Sequence, residues 1–480
     1  MYIPIWVIVL TLLTAAIAVI LWQQGKKPSD WYERVIEVVG KPYVLWVFIG
    51  ATAVLGAAYW FYLSDIIASV HDMVKHLRTQ AAASPEKVDP ENLKNLAQGS
   101  ALLLGALVAA ATLIFTLIRV WINERTTTAE EEGLITDRIN AAVASLGAEK
   151  TIKKGKDEQT VPNIEVRIGA ILALERMAKK NADVHIQIME ILTAYIRENA
   201  AVTEGEHDRK PRQDIQLAFT VIGRRPPKRI ALERMHDFRL DLRNCDLTRS
   251  DGLGLNFANA QFTNARLMHA ILRRANLQNA NLWNANLQNA DLRGANMQNT
   301  DLWNANLLNA DLWNANLQGA DLRNVNMQNT DLRNVNMQDA TLENANLLNA
   351  DLRDANMQNA DLRDVNLQGA DFRNVNMQDA TLEYANLLNA DLRDANMQNA
   401  DLRDVNMQNA KNLTDALLRG ASVRVFDFTD LPISQDQIDT MFGDGSVTLP
   451  DSITWPSHWP KEELSDREFH TKWEEWKKTL

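Results

Sequence analysis

The hydrophobic pattern of this chain changes character three times, and each change predicts a different kind of element. First come three apolar runs, at about residues 3–22, 43–63 and 101–122, with no charge before Arg119. Each is close to the roughly 20 residues that cross the hydrocarbon of a bilayer, so they predict three transmembrane helices. Trp6, Trp22, Trp46, Trp60 and Trp121 lie near the run ends, where indoles collect at a membrane interface. Lys26 and Lys27 follow the first run and no basic residue precedes it, so it reads as an uncleaved anchor and not a signal peptide.

The second pattern is helical and amphipathic. "LITDRINAAVASLG", "NIEVRIGAILALERMAKKN" and "DVHIQIMEILTAYIREN" repeat apolar residues at spacings of three and four, with Ile164, Ile168, Ile171, Leu172 and Met177 on one stripe. Arg167, Glu175 and Arg176 read as a solvated face with local ion pairs. "GAEKTIKKGKDEQTVP" reads as a flexible surface loop. A linker, "TEGEHDRKPRQD", leads to "IQLAFTVIGRRPPKRIALERMHDFR", in which Pro226 and Pro227 end a helix. This last piece is expected to cover the open end of the repeat region that it precedes.

The third pattern has a period of five. From Leu242 to Met407 a bulky apolar residue recurs in one register over about 34 units, and the one bulky position lost is Gly252. Neither a helix of period 3.6 nor a strand of period 2 gives that spacing. Two residues before each bulky position sits Ala, or sometimes Thr, Val or Cys, so these two positions form the inside of a narrow tube. The stretch from Val335 recurs almost unchanged from Val375, an offset that suits coils of either four or eight units.

Units such as "ADLRD", "ANLLN" and "ANLQN" resemble the pentapeptide-repeat family over about 170 residues. The resemblance implies a right-handed quadrilateral parallel β-helix with four pentapeptides per coil. The helical middle and "ISQDQIDTMFGDGSVTLP" are also similar to bacterial membrane-anchored members. The expected architecture is therefore mixed: a transmembrane α-helical region at 1–125, a small cytoplasmic α-helical module at 126–210, a solenoid cap at 211–239, the pentapeptide-repeat solenoid at 240–425, and a tail with short helices at 426–480. Coils spaced like neighbouring strands make a rod about 40 Å long. In the tail, Ser434 and Gln437 read as a capping box and Gly443 as the helix stop.

Residues 20 apart then share a face. One face stacks Asp291, Asp311, Asp331, Asp351, Asp371 and Asp391 beside Arg293, Arg333, Arg353, Arg373 and Arg393. The opposite face alternates Arg323, Glu343, Arg363, Glu383 and Arg403. A third is amide throughout, Asn296 to Asn396 beside Gln298 to Gln398. The fourth carries Asn306 to Asn386 with Leu308, Leu348 and Leu388 expected to be exposed. Stacked amides and Asp beside Arg stabilise such a rod by themselves, so the candidates for an interaction surface are the arginine ladder, the three leucines, and Trp473 and Trp476 of the tail.

Composition narrows the function. A net charge of -11 and a pI near 5.3 argue against a nucleic-acid binder. A single cysteine, Cys245, rules out an intrachain disulfide. There is no phosphate loop, no paired-cysteine or HExxH metal motif, and His71 and His76 are isolated, so no enzyme, cofactor or metal is expected. Lys26, Lys27, Arg34, Lys41, Arg119 and Arg125 flank the spans on the side expected to be cytoplasmic, against Lys75, Arg78, Lys87 and Lys94 in the other loop. The expectation is a multi-pass protein of a bacterial inner membrane, with its C-terminal domains cytoplasmic. It acts as a scaffold for a protein partner, with self-association open. Some soluble members of the resembled family mimic B-form DNA and bind DNA gyrase. Here residues 240–410 hold 21 acidic and 13 basic residues, whereas a 40 Å duplex carries about 24 negative charges.

Overall fold

The computed structural model of the 480-residue chain describes residues 90–154, 157–202 and 209–480, together with isolated positions between 61 and 82. It has two compact units, Met1–Glu124 and Arg125–Leu480. The first expected transmembrane helix lies outside the described residues, and of the second only Phe61 is described. The third does not end near residue 122. It belongs to α1, Pro90–Leu146, which runs through the charged stretch and absorbs the segment expected to open the helical module. Gly133 and the β-branched Thr126, Thr127 and Thr128 lower helix propensity in that part of the chain, but each costs too little to stop it. Among the described residues no helix is long and apolar enough to cross a membrane.

In the second unit the expected loop is a hairpin. β1, Glu149–Lys154, pairs antiparallel with β2, Asp157–Pro162, and Thr151 lies opposite Thr160, Ile152 opposite Gln159. Four β-branched residues and cross-strand pairs such as Lys153 with Glu158 outweigh the high charge. Two helices follow, α2 (Ile164–Lys180) and α3 (His185–Asn199). The buried stripe of α2 is not the expected one. It consists of Arg167, Ala170, Ile171, Leu174, Glu175 and Ala178, while Leu172 is 42% exposed.

α4 (Gln213–Gly223) and α5 (Pro227–Met235) lie on the first coil of the solenoid. Pro226 closes the break between them, and Pro227 opens α5 because proline needs no N–H partner in a first turn. Phe219 of α4 stacks on Phe257 at 4.6 Å, and a Cβ on Gly252 would stand 3.3 Å from Phe219. The lost bulky residue at position 252 is thus replaced by a side chain from the cap. Gln216 also bonds both ways to the backbone of Asp251, satisfying an edge the first coil would leave open.

From Asp241 onward parallel bridges join residues 20 apart, beginning with Asp241 to Gln261, so one coil is four pentapeptides. Every bulky position from Phe257 to Met397 is fully buried. The pentad 316–320 shows how its backbone is satisfied. Asn316 N–H donates to Ala295 O on the coil before (2.9 Å), Leu317 and Gly319 donate to Asn336 O and Gln338 O on the coil after (2.7 and 2.9 Å), and Ala320 closes a turn onto Leu317 O (3.0 Å). The remaining N–H, of Gln318, is taken by the Asn316 side chain at 3.2 Å. All five donors are used, as a buried backbone requires. The turn needs positive φ at its third residue, and this explains Asn, Asp or Gly at nearly every fifth position: Asn299 (53°), Asn314 (57°), Gly319 (65°) and Asp354 (60°) are examples.

The coil continues past the strict repeat. The unit at 412–417 holds one extra residue in a short 3-10 turn, Leu413–Asp415, and shifts the later pairing by one position, as between Asn396 and Leu417. β3 (Asp401–Arg403) pairs in parallel with β4 (Ser422–Arg424), and Phe442 and Thr448 extend the ladder into the tail. The capping box of Ser434 and Gln437 starts α6, Gln435–Asp439. Gly443 does not stop that helix. It sits where a Cβ would meet the Trp459 ring at 2.6 Å. α7, Asp466–Lys477, closes the chain.

Candidate interaction surface

Each outward face of the solenoid is built from two columns, the residues just before and just after the buried bulky one. On the first face Arg293, Arg333, Arg353 and Arg373 each hold the Asp two residues earlier through Nε and Nη2, at 2.5 to 2.9 Å. The same Asp also accepts from the arginine's own N–H, as the amide residue does elsewhere. Weaker pairs climb to the next coil, Arg293 to Asp311 at 3.3 Å and Arg353 to Asp371 at 3.6 Å. Hydrogen bonds from Arg333 hold the Asp331 carboxyl below the ordinary carboxylate range. For Asp371 burial pulls the other way, and the bonds from Arg373 outweigh it. Arg393 differs: Asn412 takes its Asp391, and its guanidinium stands exposed.

The opposite face alternates as expected, with Arg363 to Glu343 at 3.9 Å and Arg403 to Glu383 at 3.4 Å. At its start Trp283 and Trp303 stack at 5.9 Å, and Arg323 covers Trp303 at 5.8 Å. The Trp303 ring is therefore occupied from both sides by its own column, as a stabilising aromatic and cation–π ladder. Trp313, 46% exposed, stands alone amid the arginine ladder of the first face. Sequence reasoning passed over these tryptophans, although the spacing of Trp283 and Trp303 by one coil could have revealed them.

On the amide face the stacked asparagines bond up the column, for instance Asn356 to Asn336 at 3.1 Å and Asn376 to Asn356 at 3.0 Å. Leu308, Leu348 and Leu388 are not exposed as expected. They are half-buried between neighbouring side chains of the stacked coils, which removes the reason to single them out. Trp473 and Trp476 are corrected too. Trp473 is 4% exposed and donates to Gly420 O at 2.9 Å, while Trp476 packs on Phe442 and His458. Indole burial and a satisfied N–H make them the glue of the tail.

Arg167 and Glu175 are not a solvated face. Both are buried, and their partners are far along the chain: Arg224 clasps Glu175 at 2.6 and 2.7 Å, and Arg167 bonds Ala148 O and Asn199. Burial would raise the Glu175 carboxyl, but the bonds from Arg224 and Lys179 outweigh it and lower it. Arg225, Glu233 and His185 form a second buried group, with His185 Nε2 2.7 Å from Glu233 and Arg225 Nε 2.9 Å from it. Arg225 also donates to Asn256 O of the first coil, tying the cap to the solenoid. Only Arg176 of the expected charged face is exposed. Cys245 is buried, and burial pushes its thiol up to about 12, which leaves it unreactive.

Among the described residues no group of His, Cys, Asp or Glu is arranged to hold a metal ion. A groove of about 510 Å³ between α1 and α2 is lined by Ala141, Ala142, Gly169, Ala170 and Ala173, with Arg138, Ser145 and Arg176 as its polar members. That set lacks a general base beside a nucleophile.

Residues 239–409 match the family model described as pentapeptide repeats, in eight copies. None of the curated protein sequences compared with the chain matches it. Among solved structures, it is similar to HetL, a pentapeptide repeat protein involved in heterocyst differentiation regulation from the cyanobacterium Nostoc sp. strain PCC 7120. That likeness has 34% identity over 38% of this chain and 81% of that one, with a TM-score of 0.27. A pentapeptide repeat protein of the Arabidopsis thaliana thylakoid lumen matches at 28% identity over 25% and 72%, TM-score 0.18. QnrB1, a plasmid-mediated fluoroquinolone resistance protein, matches at 18% identity over 36% and 85%, TM-score 0.22. The repeat model agrees with the coil geometry, and the chain belongs to the pentapeptide-repeat family.

Proposed function

We propose that the protein is a non-enzymatic scaffold for protein–protein interaction, tethered by its N-terminal part to a bacterial inner membrane, with the solenoid on the cytoplasmic side. The observation that carries the scaffold is a surface of flat, regular ladders, Asp beside Arg and amide on amide, a shape suited to recognition and poor in chemistry. The tether is supported by α1, where Leu113, Phe115, Leu117, Ile118, Val120 and Ile122 are 46 to 73% exposed on consecutive turns. Apolar side chains on every side of a helix gain nothing in water and are suited to lipid. The test is affinity capture from native membranes of the full chain and of a chain lacking residues 240–425. Identical partner lists would overturn the scaffold reading, and full extraction of the protein by alkaline carbonate would overturn the tether.

The second reading is a DNA-mimicking modulator of a topoisomerase such as DNA gyrase. In its favour, the whole surplus of negative charge of residues 240–410 lies in residues 321–410, where 15 acidic residues meet 7 basic ones. Against it stands the arginine ladder within that same stretch. Inhibition of gyrase supercoiling by micromolar protein would reverse the ranking.

A further inference from the structure

The face carrying the arginine ladder has a property that the other three lack. Asp occupies the column before the bulky residue on six successive coils, 291 to 391, and Arg occupies the column after it on five of the six. A two-fold axis parallel to the solenoid exchanges these two columns. It sets every Asp column opposite the partner's Arg column at the same height, coil after coil. The face is thus complementary in charge to itself, as an isologous interface must be. A two-fold axis across the solenoid would instead set Arg against Arg.

The hydrogen bonds leave room for such a partner. Arg293, Arg333, Arg353 and Arg373 use Nε and Nη2 within the chain, and Nη1 of each has no partner among the described residues. These side chains are 34 to 41% exposed. A guanidinium can hold a second carboxylate on its free edge. The face also carries three exposed apolar side chains, Leu253 (54%), Ile271 (41%) and Trp313 (46%). Leu253 and Ile271 stand in opposite columns one coil apart, so the same axis brings each near its counterpart in the other copy. Trp313 stands in the arginine column on the second of the six coils, where a large aromatic adds apolar area to a contact. The opposite face fails the test, because Thr341 and Thr381 interrupt its acidic column where Glu343 and Glu383 interrupt its arginines.

We propose that this face, Asp291 to Arg393 with Trp313 on its second coil, is the interface of a parallel homodimer. The inference needs no lipid, although two chains anchored in one membrane would present this parallel symmetry.

Sedimentation equilibrium of the full chain in non-ionic detergent tests it. The expected result is a monomer–dimer equilibrium that weakens at least about tenfold between 0.1 and 0.5 M salt, as exposed ion pairs require. The triple variant Arg333→Glu, Arg353→Glu, Arg373→Glu makes three successive coils of the face wholly acidic and should weaken the dimer by more than about thirtyfold. Glu343 and Glu383 already occupy that column position, beside Thr341 and Thr381, so circular dichroism of the variant checks that the coil is kept with Asp beside Glu. Exchanging Asp and Arg on the same three coils restores self-complementarity and should restore the dimer. Arg266 and Lys411 already stand in the Asp column position of other pentads. Mixed wild-type and exchanged chains should form only homodimers, whereas an antiparallel pair would form heterodimers. A monomeric wild type at about 100 μM, an unaffected triple variant, or heterodimers in the mixture would each overturn the proposal.

Discussion

The solenoid and its cap handle charge in opposite ways. In the solenoid an arginine finds its carboxylate two residues back, as Arg333 finds Asp331, and both stay partly in water. In the cap Arg224 reaches Glu175 and Arg225 reaches Glu233, the second pair almost fully buried. Local pairs can be lost coil by coil without consequence for the next. The buried pairs join helices distant in the chain to the first coil, so their loss spreads. A solenoid behaves nearly as a one-dimensional stack of repeats, whereas its cap is a single cooperative body.

The largest expected effect is at Glu233. Glu233→Ala leaves the buried Arg225 guanidinium without its carboxylate and removes the partner of His185. Breaking one side of a buried pair costs about 3–5 kcal/mol. Thermal unfolding of the full chain should show the cap releasing first, while Arg333→Ala in the solenoid moves the same transition by less than about 1 kcal/mol. Equal losses for the two variants would erase the contrast.

The next effect probes the join between the regions. Gly252→Leu restores the repeat's bulky residue, but the space is already taken: a Cβ there would stand 2.8 Å from Leu272 Cδ2 and 3.3 Å from Phe219. Overpacking of this kind costs about 1–3 kcal/mol. The double variant Gly252→Leu, Phe219→Ala should recover part of the loss. If Gly252→Leu alone stabilises the chain, Phe219 does not fill the missing core position.

This pair also shows what the sequence could tell. The period of five and the inward Ala and Leu columns were legible because each pentad satisfies its backbone by the same local rule, whereas the repeat alone left coils of four or eight pentads and the resemblance implied four. The alternation Arg323, Glu343, Arg363 followed directly from that coil. Phe219 beside Gly252 was not legible, since nothing local links two positions so far apart in the chain. The buried Arg167 and Glu175 were misread for the same reason. On a helix wheel they look like a solvated pair, and only Asn199 at the end of α3 and Arg224 just after α4 show where their partners lie. The leucines at 308, 348 and 388 failed differently. Their column was correct, but stacked neighbours on adjacent coils cover an outward side chain more than a linear repeat suggests.

Acid separates the regions by a smaller amount. Bonds from their arginines hold Asp321, Asp331 and Asp361 below the ordinary carboxylate range. A carboxyl lowered in the folded state contributes stability above its unfolded value near 3.9, and this is lost as pH falls through the folded values. The melting temperature should therefore be flat from neutral pH to about 4 and decline below it. Replacing Arg323, Arg333 and Arg363 by Ala should flatten that decline. An acid limb that stays as steep would place its origin outside the ladder.

The smallest effect lies within the solenoid, at a corner that, like those of Arg249, His269 and Arg274, lacks the usual Asn, Asp or Gly. Every fifth residue turns the chain with positive φ, and Tyr384 holds φ 61° where Asn344, its counterpart two coils earlier, holds 59°. Asn reaches the left-handed region at little cost because its short side chain bonds locally, whereas a bulky aromatic is strained there. Tyr384 is 54% exposed, so its ring recovers little by packing. Tyr384→Asn should raise stability by roughly 0.5–1 kcal/mol, with Tyr384→Gly falling between the two because glycine gains more freedom when unfolded. Thermal or urea unfolding of the three proteins decides it. If Asn proves less stable than Tyr, the ring is held by a contact that outweighs its backbone strain. The solenoid would then have one site where, as in the cap, a side chain matters beyond its own coil.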